Sequence, residues 1–152
     1  APYILMHMRG TPKTMQSLTQ YADVTADVVA ELSAPLHRLQ LKGVSDVIID
    51  PGFGFAKTPQ QNYELFRNLD KIAAMLERPL LVGISRKSMI TRICGITPDE
   101  ALPGTAALNA AGILKGASII RVHDVAAARQ VVAVAEALLN PATAQMPQTK
   151  HN

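Results

Sequence analysis

The chain has 152 residues, 48% hydrophobic and 18% charged, the balance of one soluble domain with enough length to bury a core. Its net charge of +3 comes without a Lys/Arg run or an aromatic-interleaved basic patch, which argues against nucleic acid and suits an anionic small molecule. The single Cys94 excludes an intramolecular disulfide and fits a reducing compartment, and no apolar stretch is long enough to span a bilayer.

Tyr3 to Met8 reads as a strand running into His7, Met8 and Arg9 and broken by Gly10-Thr11-Pro12. It starts without an initiator Met, as if the sequence were entered midway. With no secretory leader legible, the cytoplasm is the expected location. A helical pattern follows from Val24 to Leu41, with Asp23 or Thr25 near its start and Gly43 past its end. Pro35 inside it predicts a kink or a split. The β-branched run Val47-Ile48-Ile49 is a buried strand. Thr58-Pro59-Gln60-Gln61 is a capping box with Pro at the first helical position, opening a helix to about Leu76 whose stripe is Leu65, Leu69, Ile72 and Leu76.

Leu80 to Ile84 is the third strand, followed by Ser85-Arg86-Lys87-Ser88 and a short helical turn to Cys94-Gly95. Cys94 reads as a buried small hydrophobe. Thr97-Pro98-Asp99-Glu100 caps an Ala/Leu-rich helix to Lys115, and Ser118 to Val122 is the fourth strand. A last helix covers Val125 to Leu139, giving one domain over residues 1–139. Residues 140–152 read as a disordered tail.

The strands recur at roughly 30 to 45 residues, the rhythm of βα units, and are continuously apolar as in a parallel sheet. Each ends in polar groups: His7 and Arg9, Asp50, Ser85 with Lys87, and Arg121 with His123. In a parallel sheet those ends share one face, and in a (β/α)8 barrel that face builds active sites. The centre of the pattern is Asp50-Pro51-Gly52-Phe53-Gly54-Phe55-Ala56-Lys57. A carboxylate at a strand's end, two glycines that let a ligand approach, and two aromatic faces suit a flat hydrogen-bonding heterocycle. The alternative is that both aromatics are core and Asp50 caps the turn.

Met6-His7-Met8-Arg9-Gly10-Thr11-Pro12, Asp50-Pro51-Gly52-Phe53-Gly54-Phe55, Ser85-Arg86-Lys87-Ser88 and Arg121-Val122-His123-Asp124 resemble the dihydropteroate synthases in order and spacing. The resemblance covers nearly all of residues 1–139 and matches the last four β/α units of a (β/α)8 TIM-barrel type fold. It implies condensation of 6-hydroxymethyl-7,8-dihydropterin diphosphate with p-aminobenzoate to 7,8-dihydropteroate and pyrophosphate, in folate biosynthesis. Residue by residue, it implies that Asp50 holds the pterin's 2-amino group and ring nitrogens. Lys87 would bond the ring's polar edge, Gly83 and Gly54 would line the pocket, and Met6 would pack on the ring. Phe55 would touch both substrates, Ser88 the aminobenzoate carboxylate, and Arg121 and His123 the diphosphate. Asp50, Lys87 and Arg121 would be the catalytic set. Mg2+ would assist the leaving diphosphate, with its ligand in the first half of the family's barrel, and the Ala-rich helix would serve a homodimer.

Singly, these residues have plainer readings. Lys87 could be a solvated helix-start lysine, and Arg121 could pair with Asp124 rather than with a ligand anion, the alternative the strand-end position favours. His123 could cap the last helix or pair with Asp124, His7 reads as a packed strand-end histidine, and His37 and His151 read as surface residues. The histidines lack the spacing of a metal site. Four strands also leave two open edges and an uncovered interior. Two other functions therefore stay open: a non-catalytic half-barrel, and a pterin-binding barrel such as a methyltetrahydrofolate-binding methyltransferase domain. The latter has no leaving diphosphate for Arg121 and His123 to hold.

Overall fold

The computed structural model describes residues 1–11 and 13–144; Pro12 and residues 145–152 of the expected tail, His151 among them, lie outside the described residues. Four short strands form one parallel sheet in sequence order: β1 (Tyr3–Met6), β2 (Val47–Asp50), β3 (Leu80–Val82) and β4 (Ala117–Ile120). The helices are α1 (Val24–Leu41), α2 (Pro59–Arg67), α3 (Leu69–Leu76), α4 (Ser88–Cys94), α5 (Leu102–Leu114) and α6 (Val125–Leu139). None is long and apolar enough to cross a membrane. The expected rhythm of β/α units is realised; β1, β3 and β4 end earlier than expected, so that His7, Gly83 and Arg121 follow the strands, while β2 extends to Asp50.

Period-two alternation divides the sheet. Val47, Ile49, Leu80 and Val82 face the helices and join the core with Val28 and Leu32 of α1 and Leu65, Leu69, Ile72 and Leu76 of α2 and α3. Burying each such side chain stabilises the fold by about 1.5–3 kcal/mol. Ile4, Ile48, Leu81 and Ile119 lie on the opposite face, where Ile4 pairs with Ile48 and Leu81 with Ile119. On the edge strands Ile4 and Ile119 are 49% and 37% exposed, so the face turned away from the helices is open. Two residues further along each strand, the same face carries Met6, Asp50, Gly83 and Arg121.

Several local expectations need correction. Pro35 does not split α1, which runs unbroken from Val24 to Leu41 behind the Asp23 cap. Only the bond to the carbonyl of exposed Glu31 is lost, while buried Val28, Leu32 and Leu36 hold both halves on the sheet. The helix after the Thr58 capping box is broken at Asn68, whose side-chain amide donates to Glu64 O (3.0 Å) and Thr25 Oγ1 (3.1 Å). The local side-chain bond competes with the helical ladder. The Thr97 box caps a 3-10 turn, Pro98–Glu100, ahead of α5. Cys94 is exposed rather than buried, because its helix ends one residue later at left-handed Gly95. The described part of the tail holds a 3-10 turn, Pro141–Thr143, capped by Asn140. His37 is exposed, as expected.

One glycine seats the loop after β2 on the end of β1. Gly52 has φ 75°, and a Cβ there would lie 2.0 Å from the His7 carbonyl oxygen. Gly43, at φ 78°, has open space where a Cβ would stand, with nothing within 4 Å. Gly43→Ala should therefore cost only the left-handed conformation, about 1–2 kcal/mol, and Gly52→Ala well above about 3 kcal/mol. Urea midpoints of the two variants measure the difference; equal midpoints would show that the loop is not seated on His7.

Candidate active site

Asp50 ends β2 with only 1% of its surface exposed. A carboxylate so placed needs partners. Its Oδ1 accepts a bond from the Gly52 amide at 2.9 Å, a short local turn bond. Among the described residues its Oδ2 has no hydrogen-bond partner, and it lies 3.3 Å from Arg121 Nη2, close enough for an ion pair but without hydrogen-bond alignment. Arg121 reaches it by lying across Gly83: a Cβ at Gly83 would come within 2.5 Å of Nη2. The Arg121 side chain is 52% exposed, and among the described residues Asp50 is its only ion-pair partner.

The other cations at the strand ends are more fully engaged. Lys87 turns back across β2 and donates to Phe53 O at 2.6 Å, with Nζ 4.9 Å from the centroid of the Phe55 ring. Burial, and secondarily the charge of Arg121, lower its pKa against the pull of Asp50. Arg86 sits at φ 57°, with its amide on Thr105 Oγ1 and its guanidinium on both carboxylate oxygens of Asp124 (3.2 and 2.8 Å). Asp124 thus belongs to Arg86, and the expected alternatives of Asp124 pairing with Arg121 or His123 are not realised. His123 instead bonds Ser85 Oγ through Nδ1 at 2.9 Å and does not cap α6.

Two hollows flank these groups. One, of about 120 Å³, is lined by Gly83, Ser85, Lys87, Arg121 and His123. The other, of about 210 Å³, contains Gly54, Thr58, Ser88 and Arg92. Of the residues expected at the site, Asp50, Gly83, Lys87, Arg121 and His123 gather around the first, and Met6 pairs with Asp50 in the β1–β2 register. Gly54 and Ser88 line the second, and half-buried Phe55 is marked by its contact with Lys87. Phe53 is not available to a ligand: it is fully buried and stacks at a tilt on Phe66, centroids 5.6 Å apart. A larger hollow over α2 and α3, between Gln60 and Lys71, lies away from the strand ends.

Sequence reasoning gave Lys57 no task. Its side chain is 4% exposed, and Nζ bonds Gly52 O (2.9 Å), Phe55 O (3.0 Å) and His7 Nδ1 (3.0 Å). His7 is packed at the strand end as expected, and its Nε2 meets Glu31 Oε2 at 2.8 Å. Burial, together with the Lys57 charge, lowers the His7 pKa, while Glu31 opposes. Glu31 also pairs with Arg9, whose guanidinium lies 3.7 Å from the centroid of the Tyr21 ring; the bonds from Arg9 hold the Glu31 carboxyl below its usual range. The available signal was the position of Lys57 inside the glycine-rich loop, just before the Thr58 cap.

Residues 1–123 match the model of a family described as pterin binding enzyme. The chain is 47% identical over 141 residues to a dihydropteroate synthase of Synechocystis sp., covering 91% of this chain and 48% of that protein. Against the Escherichia coli K12 dihydropteroate synthase it is 41% identical, covering 91% and 50%. The chain thus spans about half the length of the curated relatives it matches. The crystal structure of Thermus thermophilus dihydropteroate synthase, also solved in complex with 6HMPPP and with 4-aminobenzoate, superposes with TM-score 0.86 at 42% identity. That match covers 90% of this chain and 55% of the other. A Yersinia pestis dihydropteroate synthase with a sulfonamide drug complex gives TM-score 0.88 at 36% identity, covering 92% and 52%. The four β/α units are part of a barrel of the (β/α)8 type.

The buried lysine gives the site a pH signature. Burial pushes the Lys57 ammonium from its ordinary 10.5 down to about 8, opposed by Asp50 and Glu31 and assisted by Arg9 and Lys87. Between those values the unfolded chain keeps a proton that the folded chain has released. Stability from this group therefore rises with pH from about 8 to 10.5. The urea midpoint of the protein relative to that of Lys57→Met should climb across that interval, and a flat difference would show that Lys57 holds its proton normally.

Proposed function

The chain belongs to the pterin binding enzyme family, and from that membership we propose that it is the second half of a dihydropteroate synthase barrel. The reaction would join 6-hydroxymethyl-7,8-dihydropterin diphosphate to p-aminobenzoate. The observation that carries the reading is the buried Asp50 carboxylate, with one oxygen fixed by Gly52 and the other left without a hydrogen bond beside a half-exposed arginine. That second oxygen is an acceptor for the amino group and ring N–H of a pterin. Arg121, lying flat over Gly83, is a planar donor fork that can move from Asp50 to a diphosphate.

The chemistry asks for no strong nucleophile. The C–O bond at the pterin methylene breaks with its electron pair going to the diphosphate oxygen. The arylamine lone pair then forms the C–N bond, and the nitrogen loses a proton to solvent. Arg121 and His123 would bind the departing diphosphate, and Asp50 would tolerate positive charge developing on the heterocycle. Lys87 would bond the ring's polar edge from above Phe55, with Met6 on the ring face. The two hollows suit two substrates: pterin and diphosphate in the Gly83–Arg121 hollow, aminobenzoate with its carboxylate on Ser88 in the hollow beside Gly54.

No group of three or more His, Cys, Asp or Glu among the described residues could hold a metal ion, and Asp50 is engaged by Gly52 and Arg121. These residues do not by themselves fit Mg2+. In the full reading its ligand comes from the part of the relatives that this chain does not span. A homodimer through α5 and α6 belongs to the same reading, supported by exposed Leu114, Val134 and Leu138, as does a cytoplasmic location.

Calorimetric titration with 6-hydroxymethyl-7,8-dihydropterin diphosphate tests the assignment. Removing a hydrogen bond to a charged group costs about 1.5–3 kcal/mol, so Asp50→Asn and Arg121→Ala should each bind roughly tenfold to a hundredfold more weakly. Gly83→Ala displaces the far end of Arg121 from Asp50 and should lose affinity, at a smaller cost in stability than Gly52→Ala, where the obstacle is backbone. A folded chain that does not bind, or variants that bind like the parent, would reject the reading.

A further inference from the structure

Lys57 is the buried charge to which the proposed chemistry assigns no role. Its ammonium has three N–H groups, and three acceptors meet them: Gly52 O, Phe55 O and His7 Nδ1. Because the ammonium can only donate, His7 Nδ1 must carry a lone pair. The His7 proton is therefore on Nε2, donated to Glu31 Oε2. Arg9 clamps Glu31 from the other side. A single line of polar contacts thus runs from α1 through the end of β1 into the loop after β2.

The loop needs such a hold. Gly52, Gly54 and Ala56 all take positive φ, at 75°, 84° and 53°, and Ala56 lacks glycine's freedom to do so. Two carbonyls of this loop turn inward, away from water, onto Lys57 Nζ. The same loop supplies the Gly52 amide to Asp50 and the Phe55 ring to Lys87.

We propose that Lys57 is a positioning residue for ligand binding at the strand ends, holding residues 52–56 so that Asp50 and Phe55 meet the substrates. The proposal rests on the reading that Asp50 and Phe55 contact pterin and arylamine. The charged and titratable groups around Lys57 are His7 and Arg9 after β1, Glu31 of α1, Asp50 of β2 and Lys87 after β3. A neutral amine has two N–H groups for three acceptors, so loss of the proton releases one contact and loosens the loop.

Lys57→Met keeps the apolar stem and removes the donors. In the parent protein the amide resonances of Gly52 and Phe55 should titrate together with a midpoint at about pH 8, and affinity for the pterin diphosphate should fall through the same range. Folded Lys57→Met should show neither titration. Its Gly52 and Phe55 amides should exchange at least tenfold faster while those of α1 do not, and pterin affinity at pH 7 should drop at least tenfold. Full affinity in Lys57→Met, or parent loop resonances that stay still near pH 8, would overturn the positioning role and leave the synthase reading standing. If the parent fails to bind pterin, the synthase reading falls, and the loop titration and exchange alone decide whether Lys57 holds the loop. Should the variant not fold, the parent's own titration decides the matter.

Discussion

The site depends on one costly placement: a carboxylate at the end of a central strand, shut off from water. A carboxylate buried there needs partners, and the surrounding sequence supplies them at short range and at long range. Gly52 gives its amide to Oδ1, which requires the chain to turn tightly against the His7 carbonyl, where no side chain fits. Arg121 approaches Oδ2 from two strands away, which requires that β3 offer no side chain between them, and Gly83 is that gap. Two glycines that look unrelated in sequence serve the same buried charge.

Around this carboxylate the cations have different degrees of freedom. Lys57 is saturated by three acceptors, Lys87 is anchored on Phe53 O, and Arg86 is held in a two-point pair with Asp124. Arg121 has one unaligned ion pair and a half-exposed guanidinium. Once pterin N–H groups serve Asp50 Oδ2 in its place, Arg121 would be free to take an anion, whereas taking Lys57 or Lys87 would strip buried carbonyls of their donors. The asymmetry is what would make the proposed ligand site out of a cluster of charges.

Much of this was legible because it is local. The Asp23 cap, the Thr58 capping box and the glycine after α4 mark helix ends through contacts a few residues long. The four strand ends follow from apolar runs that stop at polar residues. What escaped was set by partners far along the chain. Asn68 breaks a helix partly by bonding Thr25, and Arg86 takes Asp124 across 38 residues, removing the partner that stands three positions from Arg121. Phe53 and Phe55 are two residues apart in a loop whose left-handed turns send one ring into the core against Phe66 and leave the other half-buried. Lys57 was invisible because lysine is so rarely buried. The Asp50–Arg121 pair, by contrast, was within reach of parity: each lies two residues past an isoleucine on the same face of the sheet.

The same parity explains why the site can be well formed while one side of the sheet stays open. Asp50 ends β2 and Gly83 follows β3, two strands with a neighbour on each side, and the core that fixes them lies between the sheet and α1, α2 and α3. The exposed isoleucines of that face are on β1 and β4, at the two edges. Asp50 and Gly83 are therefore held by finished packing, and what the open face withholds is enclosure. Enclosure controls how dry the site becomes, and with it the strength of every charge interaction made there. Curated relatives about twice as long have the chain to supply it. On the proposed reading, Asp50 and its neighbours would begin recognition of the heterocycle on this half of the barrel, and the remaining length of the relatives would close over it.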